Sequence, residues 1–162
     1  MNIKDILTIS GQPGLYKMIS QGKNAVIVES LETGKRMPSH ASNRISALED
    51  ISVFTDSEEL PLKDLFVKIY TKENGQQSAN PKKMTGEALK EYFAELVPDY
   101  DRDRVYVSDM KKAIQWYNLL ISKGMLNIEK DQEIEEVEKG EKVEKVEELE
   151  TKDQTNEEAK KD

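Results

Sequence analysis

The sequence predicts an α+β protein. We expect a small SH3-like β barrel in residues 1–56, a three-helix unit in residues 57–125 and a disordered acidic tail in residues 126–162. Three observations lead to this prediction. Short β-rich runs separated by glycine and asparagine turns fill the first third of the chain. Three amphipathic stretches with helix start and stop signals follow. The last segment is highly charged and has no aromatic residue.

The β unit is predicted from its turns. The runs GLYKMIS and AVIVESL flank the segment QGKN, and two β-rich runs around a Gly/Asn turn are typical of a hairpin. A second turn, ETGK, leads into RMPSH, and ISVFT at residues 51–55 is rich in β-branched and aromatic residues. Four or five short, closely spaced strands favour a small barrel of the SH3-like kind.

The three predicted helices each carry their apolar residues on one face. Each also has residues at its two ends that favour a helix start and a helix stop. These pairs are Pro61 and Gly75, Thr85 and Pro98, and Ser108 and Gly124. We therefore expect three helices that pack against each other or against the sheet.

The negative charge of the protein belongs to its last segment. Residues 1–125 hold 17 Lys/Arg and 17 Asp/Glu, for a net charge of 0, whereas residues 126–162 hold 7 and 15, for a net charge of −8. Such a segment buries too little apolar surface to offset roughly 1–2 kcal/mol of backbone entropy per residue. We expect a disordered solubilising tail, with a frayed helix or an acidic contact to basic partners as alternatives.

The composition excludes several classes of protein. There is no cysteine, so disulfides, thiolate nucleophiles and zinc–cysteine sites are ruled out. The longest apolar stretches have four or five residues, which is too short to cross a bilayer. The first residues also lack the apolar block of a signal peptide. A cytoplasmic protein without a membrane partner is the resulting expectation.

Several segments together resemble a known family. They are ISGQPGLYKMISQGKNAVIVESL, ISALEDISVFT, PLKDLF and PDYDRDRVYVSDMKKAIQWYNLL. They are similar to an uncharacterised bacterial family of domain-of-unknown-function proteins known from the Bacteroidetes. The resemblance covers about residues 1–125 and is most specific in the run that begins at Pro98. It supports the limits of the folded part and implies no activity, cofactor or site residue.

The aspartates between the second and third helices are weak candidates for a metal site. Asp99, Asp101 and Asp103 match the first three ligand positions of an EF-hand loop. Arg104 stands where that loop needs glycine, and Met110 stands where it needs a bidentate carboxylate. The better interpretation is an ion-paired helix connection, in which Asp109 interacts favourably with the start of the third helix.

The same run supplies candidates for a partner contact. If Tyr100, Arg102 and Arg104 face solvent together, they would form such a contact. Trp116 is either a core residue or an exposed anchor for a partner protein.

No catalytic residue or cofactor is predicted. The single histidine, His40, lies between Ser39 and Ser42, and neighbouring loop residues rarely give the geometry of a nucleophile and its base. The glycines of SGQPG lack both the lysine of a P-loop and its strand–helix context, so we expect a turn there.

Three functions remain open from the sequence. The preferred one is a non-enzymatic adaptor that binds a protein partner. The second is an RNA- or ribosome-associated factor, because residues 1–48 carry a net charge of +3 that includes Lys35 and Arg36. The neutral body and the acidic tail oppose binding to a polyanion. The third is an enzyme whose site residues the sequence does not identify.

Overall fold

The first 47 residues build one antiparallel sheet. The computed structural model describes residues 3–40 and 43–126. Its sheet has five strands in the order β4-β3-β2-β1-β5, and each neighbouring pair is antiparallel. The strands are β1 (Ile6–Ile9), β2 (Tyr16–Gln21), β3 (Ala25–Ser30), β4 (Arg36–His40) and β5 (Ile45–Ala47). The predicted hairpin of GLYKMIS and AVIVESL is β2 and β3.

The expected SH3-like barrel is not confirmed, because the sheet is open. Within the described residues, β4 pairs only with β3 and β5 pairs only with β1. The strand register nevertheless places Leu7, Tyr16 and Val28 on one face, where they form an apolar cluster of their own. Val28 is fully buried there, and Met37 of β4 and Ile45 of β5, from the two edge strands, pack against the same cluster.

The segment ISVFT does not join that sheet. It forms β6 (Ser52–Phe54), which pairs with β7 (Glu59–Pro61) in a separate two-stranded sheet. The Asp56–Ser57 turn allows this local pairing, and the N–H of Thr55 donates to the carbonyl of Glu58 at 3.0 Å. The expectation of a further barrel strand was therefore wrong, because a strand with a partner a few residues away needs no distant one.

The three predicted helices are present. They are α1 (Leu62–Lys72), α2 (Gly86–Leu96) and α3 (Val107–Ser122). Thr85 caps α2 as predicted, since its Oγ1 accepts the N–H of Ala88 at 3.2 Å. Ser108 does not cap α3, because the helix already begins at Val107.

One core joins the sheet to the helices. The same buried cluster contains Ile6 of β1, Leu15 directly before β2, Leu48 of a 3-10 turn (Leu48–Asp50), and Phe66 and Tyr117 of the helices. The β part and the helical part therefore stabilise each other, as their small sizes require. The predicted tail lies outside the described residues, apart from Leu126, which packs in this core. No helix of the described part combines the length and the apolar character needed to cross a membrane.

Candidate functional site

The connector, which we define as residues 97–106 between α2 and α3, is an ion-paired turn built around Asp101. The Asp101 carboxylate accepts the backbone N–H groups of Asp103 at 2.9 Å and Arg104 at 3.0 Å, and Arg104 Nε at 2.6 Å. The bond from the Arg104 side chain, followed by the N–H of Asp103, lowers the pKa of Asp101. Its oxygens are therefore committed to holding the turn.

The three aspartates proposed as weak metal ligands are not gathered around a cation site. Among residues 3–40 and 43–126, no group of three or more acidic or histidine side chains is placed to hold a metal ion. Asp99 and Asp103 are exposed, and the carboxylate of Asp101 forms an ion pair with Arg104. The arrangement is that of a helix connection.

At one position the connector pairs with the chain at the end of β6, as a third strand would. Thr55 and Tyr100 form an isolated antiparallel bridge, in which the N–H of Asp101 donates to the carbonyl of Phe54 at 3.0 Å. The N–H of Asp56 donates to the carbonyl of Asp99 at 2.9 Å on the other side of the bridge. The turn at Asp101 then directs the chain away from β6.

This bridge determines where the predicted contact residues lie. Tyr100 is only 2% exposed and packs edge-on against Phe93 with ring centroids 5.3 Å apart, so its side chain cannot be part of a partner contact. Arg102 and Arg104 are exposed. The guanidinium carbon of Arg102 lies 5.0 Å from the Tyr100 ring centroid, and that of Arg104 lies 4.3 Å from the Phe54 ring centroid. Such cation–π contacts hold both arginines near aromatic surface.

A groove opens where the connector leaves β6, and we call it the β6 groove. It has a volume of about 250 Å³. Its walls include residues 51–54, Arg104 and Val105 of the connector, and Lys112 and Trp116 of α3. Two of the predicted partner-binding residues, Arg104 and Trp116, thus meet at one site. Sequence reasoning did not find Phe54, which is 37% exposed beside it.

The charges of the β6 groove come from its rim. Arg104 is held by Asp101, and Asp109 accepts the N–H of Tyr106 at 3.2 Å in the first turn of α3. Lys112 is exposed and has no ion pair within the described residues. Its ammonium is therefore the charge at the groove that is available to a ligand.

The residues that suggested RNA binding lie elsewhere, on β4 and the turn before it. Lys35 and Arg36 are exposed, and Arg36 Nε lies 2.7 Å from a carboxylate oxygen of Glu29 on β3. The opposing carboxylate offsets the charge of Arg36, so the basic character of this surface is weaker than the sequence suggests.

His40 and Ser39 do not form a catalytic pair. They are neighbours on β4, and successive side chains of a strand point to opposite faces of the sheet. His40 is exposed, whereas Ser39 is buried and its Oγ accepts Nδ2 of Asn43 at 3.2 Å. Ser42 lies outside the described residues.

A polar network that sequence reasoning missed holds the loop between α1 and α2. The Asn118 side chain accepts the N–H of Ser78 at 2.8 Å and donates to its carbonyl at 3.1 Å. The Tyr92 hydroxyl accepts from Ser78 Oγ at 3.1 Å and donates to Glu73 at 2.6 Å. Burial and then the bond to Glu73 raise the pKa of Tyr92. Burial, with the charge of Glu73, raises the pKa of Tyr117 to about 12.

The architecture defines an α+β protein in which an open antiparallel sheet and three helices share one core, with an apolar groove on the helical side. Residues 3–48 match the family model described as domain of unknown function DUF5606. Residues 51–120 match the model of another domain of unknown function, DUF6852. The two matched ranges meet at the 3-10 turn.

A solved structure is similar to this chain in sequence and in fold. The solution NMR structure of a protein from Bacteroides vulgatus, a structural genomics target, is 47% identical to this chain and has a TM-score of 0.64. The alignment covers 77% of this chain and 89% of that one. No curated protein matches the chain. The chain therefore belongs, with the Bacteroides vulgatus protein, to an uncharacterised family of domain-of-unknown-function proteins. The resemblance predicted from the sequence is confirmed.

Proposed function

We propose that the protein is a non-enzymatic, cytoplasmic protein-binding module that contacts its partner through the β6 groove. One observation carries the proposal. An aromatic side chain, Trp116, and an arginine, Arg104, line the same apolar groove, with the exposed ring of Phe54 at its edge. Tryptophan, tyrosine and arginine dominate the binding energy of protein interfaces, particularly where apolar contacts surround them.

The size of the groove supports a side-chain ligand over a cofactor. Pockets for drug-sized ligands and cofactors usually have volumes of about 300–1,000 Å³. The β6 groove, at about 250 Å³, is below that range. It suits one or two apolar side chains of a partner protein.

Large exposed apolar side chains also favour this surface. The described residues expose three such side chains, Ile19, Phe54 and Tyr106. Phe54 lines the groove and Tyr106 directly follows Val105 of its wall, whereas Ile19 lies on β2. Two of the three therefore belong to one region of the molecule.

Affinity capture with the full chain tests the proposal, using two variants that remove similar apolar surface. Phe54 is 37% exposed and Ile19 is 38% exposed, so Ile19→Ala is a matched control for Phe54→Ala. We expect a partner that the wild type and Ile19→Ala retain and Phe54→Ala loses. The proposal is refuted if all three proteins capture the same set, provided that their melting curves show a folded protein.

A further inference from the structure

We infer that the β6 groove binds an extended segment of the partner, in which apolar and acidic residues alternate, by adding it as a strand to the outer edge of β6. This inference rests on the proposed function and names the binding mode and the chemistry of the partner. It follows from the register of the two-stranded sheet, the path of the connector and the charge at the groove.

The register leaves one edge of β6 open. The N–H of Thr55 donates to the carbonyl of Glu58, and the N–H of Leu62 donates to the carbonyl of Ile51 at 2.9 Å. The hydrogen-bonded positions of β6 toward β7 are therefore 51, 53 and 55, given the pairing of Val53 with Leu60. The backbone groups of Ser52 and Phe54 point the other way. Pro61, which has no N–H, pairs with Ser52. At that position an N–H of β7 would point away from β6, so the proline removes no hydrogen bond between the two strands.

The connector uses only part of this edge. The N–H of Asp101 in the connector donates a hydrogen bond to the carbonyl of Phe54. The N–H of Phe54 and both backbone groups of Ser52 take part in no hydrogen bond within the described residues. Continued antiparallel pairing would bring residues 102 and 103 beside β6, but the Asp101 turn directs them away. The space that they leave is the groove, which these β6 residues and α3 line together.

Such an edge selects an extended ligand. Unpaired N–H and C=O groups along a strand hydrogen-bond another strand, and pockets for alternate side chains then provide specificity. In a strand added to β6, every second side chain would face the same side. The apolar wall formed by Ile51, Val105 and Trp116 would receive these side chains.

The charge at the rim favours acidic residues between the apolar residues of the bound segment. Lys112 is unpaired within the described residues, and Arg104 adds a second cation that Asp101 already offsets in part. Asp109 is the carboxylate among the groove residues, and its interaction with the start of α3 offsets its repulsion of an acidic ligand. The rim therefore favours a carboxylate over an ammonium group, chiefly through Lys112.

Tryptophan fluorescence of the full chain tests the inference, because Trp116 is the single tryptophan and lies in the groove. The probe is a short peptide with blocked ends in which leucine alternates with glutamate. We expect a saturable change in the Trp116 emission. Methylation of the peptide nitrogen that would donate to the Ser52 carbonyl removes that donor and keeps every side chain. It should weaken binding by about tenfold or more.

Two charge reversals on α3 test the predicted chemistry of the ligand. Lys112→Glu should weaken binding of the glutamate peptide by about threefold to tenfold and favour a matching leucine–lysine peptide. Lys111→Glu changes the net charge equally at a neighbouring residue that does not line the groove, so it should leave the affinity within about twofold.

The outcomes separate the inference from the proposed function. Equal binding of the methylated and unmethylated peptides, or no saturable change with either, would overturn strand addition. If the Phe54→Ala variant still lost its partner in affinity capture, the proposed groove contact would remain and only its mode would be wrong. A preference of the wild type for the lysine peptide would overturn the predicted acidic chemistry.

Discussion

Asn118 fixes the loop between α1 and α2, and replacing it by alanine tests the importance of that contact. Its side-chain amide makes two hydrogen bonds to the backbone of Ser78, at 2.8 and 3.1 Å. Ser78 is 6% exposed, so little water is available to replace them. The substitution removes both bonds and leaves an N–H and a carbonyl without their partner.

The expected cost follows from these two bonds. A buried donor or acceptor that loses its partner costs about 1–3 kcal/mol. The Asn118→Ala variant should therefore lose about 2–6 kcal/mol of the free energy of unfolding, the sum over the two groups of Ser78. The helix itself should not suffer, since alanine has a higher helix propensity than asparagine.

Urea unfolding measures this loss, and Gln115→Ala is the control. Gln115 lies in the same helix and makes no hydrogen bond through its side chain within the described residues. Its replacement should change the stability by no more than about 0.5 kcal/mol. In Asn118→Ala the unfolding midpoint should fall while the slope with urea stays the same.

A second variant shows whether the loop is held as one unit. The Tyr117 hydroxyl donates to the carbonyl of Gln76 at 2.8 Å, two residues before Ser78. If the loss of either contact alone releases the whole loop, Tyr117→Phe combined with Asn118→Ala should cost less than the sum of the single changes. A loss below about 0.5 kcal/mol for Asn118→Ala, no larger than an ordinary surface substitution, would refute the reasoning.

Three further predictions concern burial, backbone conformation and pH. Tyr100→Ala should cost about 3–5 kcal/mol in urea unfolding and Tyr100→Phe less than about 1, because the buried ring contributes most of the stabilisation; similar losses would contradict this. Gly34 and Gly75 have φ values of +70° and +75°, so alanine at either should cost about 1–2 kcal/mol. Gly75→Ala should cost more, since its methyl group would lie 3.1 Å from the Tyr70 ring whereas Gly34 faces open space; equal losses would exclude this contact. The pKa of Tyr117 is raised to about 12 from 10.0, so its contribution to stability is full below pH 10 and is lost as the pH rises toward 12. Tyr117→Phe should therefore unfold at higher pH than the wild type in an alkaline titration followed by circular dichroism, and an unchanged or lower midpoint would contradict this.

The sequence predicted the helices well because their signals are local. The spacing of apolar residues and the Thr85 cap depend on neighbours within one or two turns, and so does the glycine at position 124, whose φ is +65°. The β2–β3 hairpin was predicted for the same reason, since its turn lies between its strands. The start of α3 was placed two residues late because Ser108 matches a cap in type, while Asp109 is the side chain that bonds to the N–H of Tyr106.

Contacts between distant residues could not be predicted in this way. Barrel closure depends on whether the last strand pairs with the first, and no local pattern reports that pairing. Pro61 indicated the start of α1, which is correct. The short strand β7, which ends at the same residue, was not predicted. Arg104 and Trp116 were noticed one by one, yet the groove exists because residues 51–54 fold beside them. The Asn118 network has no sequence signal, since its partner Ser78 lies 40 residues away.

The connector shows how an apparent ligand motif can instead shape a binding surface. The acid at position 101 accepts three bonds from its own turn, so it has little capacity left for a cation. That turn ends the pairing with β6 after a single bridge. A straighter connector would complete a three-stranded sheet and cover the edge at Ser52. By turning the chain there, Asp101 leaves the edge open and places Arg104 over Phe54, so the proposed function depends on this carboxylate without requiring it to touch the partner.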